Sequence, residues 1–209
     1  MKAKGRKNRK LKRLLIVIWV LFLAALGGAG FYYYKNRKEI NEDLGVTKGP
    51  AYETNANPNI NALVITYLHA LGSCDQTILK SCVTDPSQFD DMTLIRNKAK
   101  VITGYSNINC YTMPGNTENS TVVYVVSNIS IAGVSSTPLD IYVPPFYVIE
   151  QDGNYLIDNT THSQEVSDYI NSCTKNADIQ KLYQKVLDDQ KKCADEDPAF
   201  AEFYEKLYN

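Results

Sequence analysis

Histidine is nearly missing from this chain: there are two in 209 residues, His69 and His162, far apart in sequence. None of the five cysteines stands at the C-x-x-C spacing of a zinc or redox site. Zinc needs several N or S ligands brought together, so the composition argues against a metal centre, and no cofactor is implied. No G-x-S-x-G elbow, no phosphate-cradling glycine loop and no Cys/His signature occurs, so Ser and Cys have no adjacent base in a known nucleophile motif. Internal repeats are absent, and so is low complexity beyond the basic N-terminus.

Acid is missing from the first 38 residues, where 11 of the 22 Lys and Arg lie. From Glu39 onward, 11 Lys and Arg stand against 23 Asp and Glu, a balance of −12. Such a surface repels nucleic acid and anionic headgroups, which excludes nucleic-acid binding by this part of the chain.

Charge is also absent from Leu14 to Tyr34, a run of 21 residues. At about 1.5 Å per residue it matches the thickness of a bilayer's hydrocarbon core. Eight Lys and Arg precede it and only Lys35, Arg37 and Lys38 follow, so the positive-inside rule places the N-terminus in the cytoplasm. Phe31 and Tyr32 to Tyr34 suit an aromatic belt at the outer interface. The expectation is a single-pass membrane protein with an extracytoplasmic domain, the membrane being engaged through Leu14 to Tyr34. Secretion after cleavage near Gly27-Gly28-Ala29 is the alternative.

The order along the chain is then a basic cytoplasmic segment (1–13), a transmembrane helix (14–34), a stalk (35–56), a domain (57–160) and a helical extension (161–209). Asn57-Pro58 opens a helix with a capping residue followed by proline at the first position. Ile60, Leu63, Val64, Tyr67, Leu68 and Leu71 recur at helical spacing up to Gly72. A second helix spans Asp75 to Val83, and Asp85-Pro86 opens a third that takes in Phe89, Met92 and Ile95. Val101 to Thr112 and the β-branched Ser120 to Ala132 read as strands. Leu139 to Gln151 is another, interrupted by Pro144-Pro145, because each proline removes a ladder donor. Asp152-Gly153 turns the chain into a last strand, Asn154 to Asp158. After His162 the pattern is helical, ending in a helix capped at Asp197-Pro198 with Phe200, Phe203, Tyr204 and Leu207 on one stripe.

The fold class is therefore α+β: N-terminal helices packed on a curved antiparallel four-stranded sheet, cone-like, with a C-terminal helical tail. Cys74, Cys82, Cys110, Cys173 and Cys193 are odd in number, so at least one is unpaired within the chain, and their pairing stays open. Asp85 is most simply a cap, and the neighbours Asp90 and Asp91 point about 100° apart on a helix. Asp140 and Glu150 share strand parity with Phe146 and Val148, which predicts a mixed face with solvated charges. Tyrosine is abundant, 15 in all. Tyr105, Tyr111, Tyr124, Tyr142, Tyr147 and Tyr155 fall on strands, where a ring with a polar tip suits a half-buried sheet.

The stretch NINALVITYLHALGSCDQTILKSCV resembles the opening helix pair of nuclear transport factor two-like domains, and GYSNINCYTMPG resembles their first long strand. TVVYVVSNISIAG and PPFYVIEQDGNYLIDN resemble the later strands and closing hairpin. The resemblance covers about half the chain, leaves the tail after His162 outside it, and extends to the membrane-anchored surface proteins of Firmicutes that carry such a domain. It implies a pocket inside the cone. The candidate ligand-binding residues are Tyr105, Tyr124, Tyr147 and His69, the last at the rim; no catalytic residue and no metal ligand is assigned. The expected function is non-catalytic binding of a protein, an envelope component or a small ligand by a membrane-anchored acidic module. A ketosteroid-isomerase-like enzyme acting on a small organic substrate is the alternative. A second is an oligomerising component of an envelope assembly, with the C-terminal helices meeting a protein partner or another copy of the chain.

Overall fold

In the computed structural model the described residues are 52–208. They form an α+β fold of six helices and an open, six-stranded antiparallel sheet. The helices are α1 (Pro58–Ser73), α2 (Gln76–Ser81), α3 (Thr93–Ala99), α4 (Gln164–Thr174), α5 (Ala177–Glu196) and α6 (Pro198–Tyr208). The strands are β1 (Glu53–Thr54), β2 (Ile102–Pro114), β3 (Ser120–Ile131), β4 (Leu139–Ile141), β5 (Phe146–Gln151) and β6 (Asn154–Ile157).

The helix starts follow local capping chemistry. The Asn57 side chain accepts hydrogen bonds from the N–H groups of Asn59 and Ile60, and that of Asp75 accepts from Ile78. These satisfy donors that a helix end leaves without an internal partner. The segment opened by Asp85-Pro86 does not run on as one helix. It forms a single 3-10 turn, Pro86–Phe89, and stops. Asp91 then accepts from the Thr93 N–H at 2.8 Å, where α3 begins. Short acidic side chains that bond the following backbone divert the chain from a continuous helix.

The sheet order is β1-β2-β3-β5-β6, with β4 also pairing β3. β4 and β5 are two halves of one strand alongside β3: Leu139 to Ile141 pair with Val126 to Asn128, and Phe146 to Ile149 with Ser120 to Val123. The break between them is the Pro144-Pro145 step read from the sequence, and the Val143–Pro144 bond is cis. Asp152 and Gly153 both take positive φ, 52° and 77°, in the turn from β5 to β6. The four-strand count of the sequence reading is corrected to six. It omitted β1, two residues with no periodicity to find, and it treated β4 and β5 as one.

Both faces of the sheet are covered. On one, α1 and α2 bury Ile60, Val64, Leu68 and Leu79 against Cys110, Val123, Val125, Phe146 and Val148. On the other, Cys173, Ile179, Leu182 and Val186 of α4 and α5 cover Tyr111, Met113, Val122, Tyr124, Val126 and Tyr147. Alternation along β3 and β5 sends successive residues to opposite faces. Phe200 of α6 is 2% exposed and packs on Ile129 and Ile131. The segment after His162 is thus a layer of the fold, with its apolar stripes engaged within the chain.

The membrane placement is corrected here. Among the described residues no helix is long and apolar enough to cross a membrane, and the single-pass, extracytoplasmic reading is withdrawn on that finding. Leu14 to Tyr34, the run it rested on, lies outside the described residues, as do the basic segment and most of the stalk. All five cysteines are free thiols.

One carboxylate ties the C-terminal layer to the loop after β3. Asp197 Oδ2 accepts from the Ser135 and Ser136 N–H groups and from the Ser135 hydroxyl, and Oδ1 accepts from the Ala199 and Phe200 N–H groups. The Ser136 and Ser135 donors hold its carboxyl well below the ordinary carboxylate range. A depressed folded-state value gives stabilisation that is complete above the unfolded-state value, about pH 4, and is lost as pH falls below it. Thermal melts should therefore rank Asp197→Asn below the wild type at neutral pH, with the gap closing as pH is lowered below about 4. A gap independent of pH would show that the charge is not what matters.

Candidate functional site

The polar feature that stands out lies on the sheet face covered by α1–α3. Asp140 of β4 shares parity with Tyr142, Phe146 and Val148, so the proline step carries an acid and a phenol onto that face. Tyr142 stacks on Phe146 with ring centroids 4.4 Å apart. Tyr67 of α1 meets Phe146 edge-on at 5.3 Å. Tyr67 and Tyr142 share a side-chain hydrogen bond that pushes the Tyr67 phenol further up and works against burial at Tyr142. Tyr105 of β2 joins the same cluster. From α3, Lys98 places its Nζ 5.5 Å from the centre of the Tyr142 ring, a cation–π contact.

Electrostatics mark this group out. Burial raises the Asp140 carboxyl from 3.8 to about 6, against the opposing pull of the Lys98 charge. Burial lowers the Lys98 ammonium below the ordinary lysine value, offset in part by Asp140. Burial likewise pushes the Tyr67, Tyr105 and Tyr142 phenols upward, so all three keep their protons at neutral pH. Desolvation disfavours whichever form carries charge, and here it acts on an acid and a base at once. Lys98 and Asp140 sense each other without a salt bridge within 4.0 Å among the described ion pairs. Each of Lys98, Tyr105, Asp140 and Tyr142 retains partial exposure, so solutes can reach them.

Of the residues proposed from the sequence, one falls in this group: Tyr105. Tyr124 is completely buried on the opposite face, its hydroxyl 2.8 Å from the Thr174 hydroxyl. Tyr147 lies on that opposite face too, donating to Asn116 and, at 2.8 Å, to Ser120. His69 is on the exposed side of α1. The four are therefore not brought together. His162 sits elsewhere, edge-on to Tyr147 at 5.2 Å and 3.5 Å from the Asp158 carboxylate. That pair belongs to a network in which Asp158 and Asn159 bond Thr84 and Asn159 bonds Asp85, closing β6 onto the loop after α2. Among the described residues no group of three or more His, Cys, Asp or Glu is placed to hold a metal ion.

Tyr67, Lys98, Asp140 and Tyr142 were not singled out as site residues. The parity of Asp140 with Phe146 and Val148 was a usable signal, since it puts a carboxylate in line with two core residues. Nothing in the sequence announces that Lys98 folds back over Tyr142. Comparison with family models, with curated proteins and with solved structures returns no match for this chain.

Proposed function

We propose that this chain is a small-ligand binding module, built as a nuclear transport factor two-like domain in which the N-terminal helices cover one face of an antiparallel sheet and the C-terminal helices add cover on the other. The sequence stretches that resemble such domains support that finer fold, and so does the element order of helices, then strands, then a closing hairpin. The observation that carries the functional reading is the convergence of Asp140, Lys98 and three tyrosines on the sheet face under α1–α3. A desolvated acid and a desolvated amine within mutual range destabilise a fold unless something is gained from them, and such groups concentrate at functional sites. Aromatic walls with a few placed polar tips are what small-molecule sites use to orient a ligand.

The test is a ligand-observed NMR screen of the full chain against small organic acids, amines and alcohols. Compounds that bind should compete with one another and lose binding in Tyr142→Ala. Binding that survives Tyr142→Ala and Asp140→Ala alike would place the site elsewhere and overturn the reading.

Asp140 also favours a second reading, that of a ketosteroid-isomerase-like enzyme. A carboxyl with a value near 6 is matched to proton transfer at neutral pH. Deuterium incorporation into a bound compound in D2O, abolished in Asp140→Asn, would support catalysis; ligands recovered unlabelled would leave binding alone.

A further inference from the structure

The helix-covered site sits in a local charge environment opposite to that of the chain around it. Between Tyr52 and Thr174 the basic residues are Lys80, Arg96, Lys98 and Lys100. Lys80 is committed to Asp90. The other three lie on α3 or at its C-terminal cap. Lys98 is the one of them that reaches the tyrosines. In a portion of the chain that carries a balance of −12 from Glu39 onward, α3 is a basic island, and its Lys98 lies within electrostatic range of Asp140.

An exposed apolar side chain stands beside the cation: Leu94 precedes Lys98 by one helical turn and is 70% exposed. Side chains four apart on a helix lie on the same side, so Leu94 extends the surface that Lys98 begins. The floor is rich in donors. The Tyr105 and Tyr142 hydroxyls keep their protons, Tyr67 is engaged with Tyr142, and Lys98 has no carboxylate within salt-bridge distance among the described ion pairs. Asp140 is the single carboxylate in the group, and on protonation it too becomes a donor.

We propose, resting on the binding reading above, that the site takes a small organic carboxylate with an apolar body, and that binding is accompanied by proton uptake on Asp140. The carboxylate would meet Lys98 and the Tyr105 and Tyr142 hydroxyls, and its body would lie against Leu94 and the Tyr142 ring. A second negative charge beside Asp140 in a desolvated setting favours the protonated acid. The groups facing Asp140 are Lys98 of α3, Tyr105 of β2 and Tyr142 beyond β4. Tyr67 of α1 sits behind Tyr142, and Asp189 of α5 accepts from the Leu139 N–H one residue away. Of these, only Lys98 offers a positive charge to the incoming anion. With the free-state Asp140 value near 6, affinity should hold below about pH 6 and weaken up to tenfold per pH unit above it, until deprotonated Asp140 persists in the complex.

The test is calorimetry on the full chain with 2-naphthoate, its neutral amide and 2-naphthylmethylamine. Naphthoate is expected to bind at least tenfold more tightly than the amide at pH 6, and the amine more weakly than both. At pH 7.5 the binding heat should depend on the buffer's ionisation heat in the sense of proton uptake. Lys98→Met should erase the preference for the anion, Lys98→Arg should keep it, and Asp140→Asn should abolish the buffer dependence while preserving binding. Equal affinity for naphthoate and amide, or preference for the amine, would sink the anion inference while leaving a binding site that Tyr142→Ala still disrupts. Failure of all three probes to bind would overturn the inference, while a Tyr142-dependent hit of another class in the NMR screen would keep the broader reading.

Discussion

Truncation after Thr160 is expected to abolish cooperative folding. The cut removes α4, α5 and α6, and with them the cover over Tyr111, Met113, Val122, Tyr124, Val126 and Tyr147. Fully burying a large apolar side chain is worth about 1.5–3 kcal/mol, so baring these six costs on the order of 10 kcal/mol. A domain's entire stability is about 5–15 kcal/mol. Phe200 on Ile129 and Ile131, the Asp197 staple and the Tyr124–Thr174 hydrogen bond go as well. The truncated chain should aggregate or give a broad melt without a baseline, while the full chain unfolds in one transition. A truncated, monomeric protein with a sharp melt would mean that the second layer is dispensable, and that the resemblance to a domain ending near Asn159 marks a complete folding unit. A milder cut after Asp195 removes α6 together with Glu196 and the Asp197 staple, and should lower the melting temperature without destroying the transition.

The regular elements were legible because their signals are local. Asn57-Pro58 opening α1, Ser120 to Ile131 as a long strand, the proline break before β5 and the Asp152-Gly153 turn all follow from chemistry within a few residues of each site. The position of the C-terminal helices was not legible as a layer. Their stripes were visible, but an amphipathic stripe states only that it must be buried, and Phe200 docking on Ile129 joins residues 71 apart in sequence. The site behaved the same way. Alternation along β4 and β5 was enough to align Asp140 with the core-facing Phe146 and Val148. What turns that carboxylate from a solvated charge into a raised one is its burial, in a neighbourhood shared with Lys98 of α3, Tyr105 and Tyr142; α3 itself is set by a 3-10 turn and a capping aspartate that periodicity did not anticipate. Tyr124 and Tyr147 fell to the opposite face because a strand shows a phenol to one side or the other according to register, and their hydroxyls are spent on Thr174, Asn116 and Ser120.

Asp140→Asn should stabilise the protein at neutral pH. The acid's value rises from 3.8 to about 6 on folding. At about 1.4 kcal/mol for each tenfold change in proton affinity, this is a destabilisation of about 3 kcal/mol once the group is ionised. The sign follows from linkage: a carboxyl raised in the folded state helps most below its unfolded-state value, and that help is lost as pH climbs through the folded-state value. Wild-type stability should thus decline between about pH 4 and 6, and the asparagine variant should lack this decline. Loss of the Asp140 charge also removes the partner that supports the Lys98 ammonium, so the net gain at pH 7 should be smaller, about 1–2 kcal/mol, and larger in the double variant with Lys98→Met, where no unpaired cation remains. Chemical denaturation from pH 4 to 8 on the four proteins of this cycle measures each quantity. A protein that grows more stable on losing an acid is one that holds the acid for another purpose, and stability given up at a site in this way accompanies function. If Asp140→Asn is instead destabilising at every pH, the carboxylate is a structural partner of Lys98 and the case for a ligand on this face falls with it.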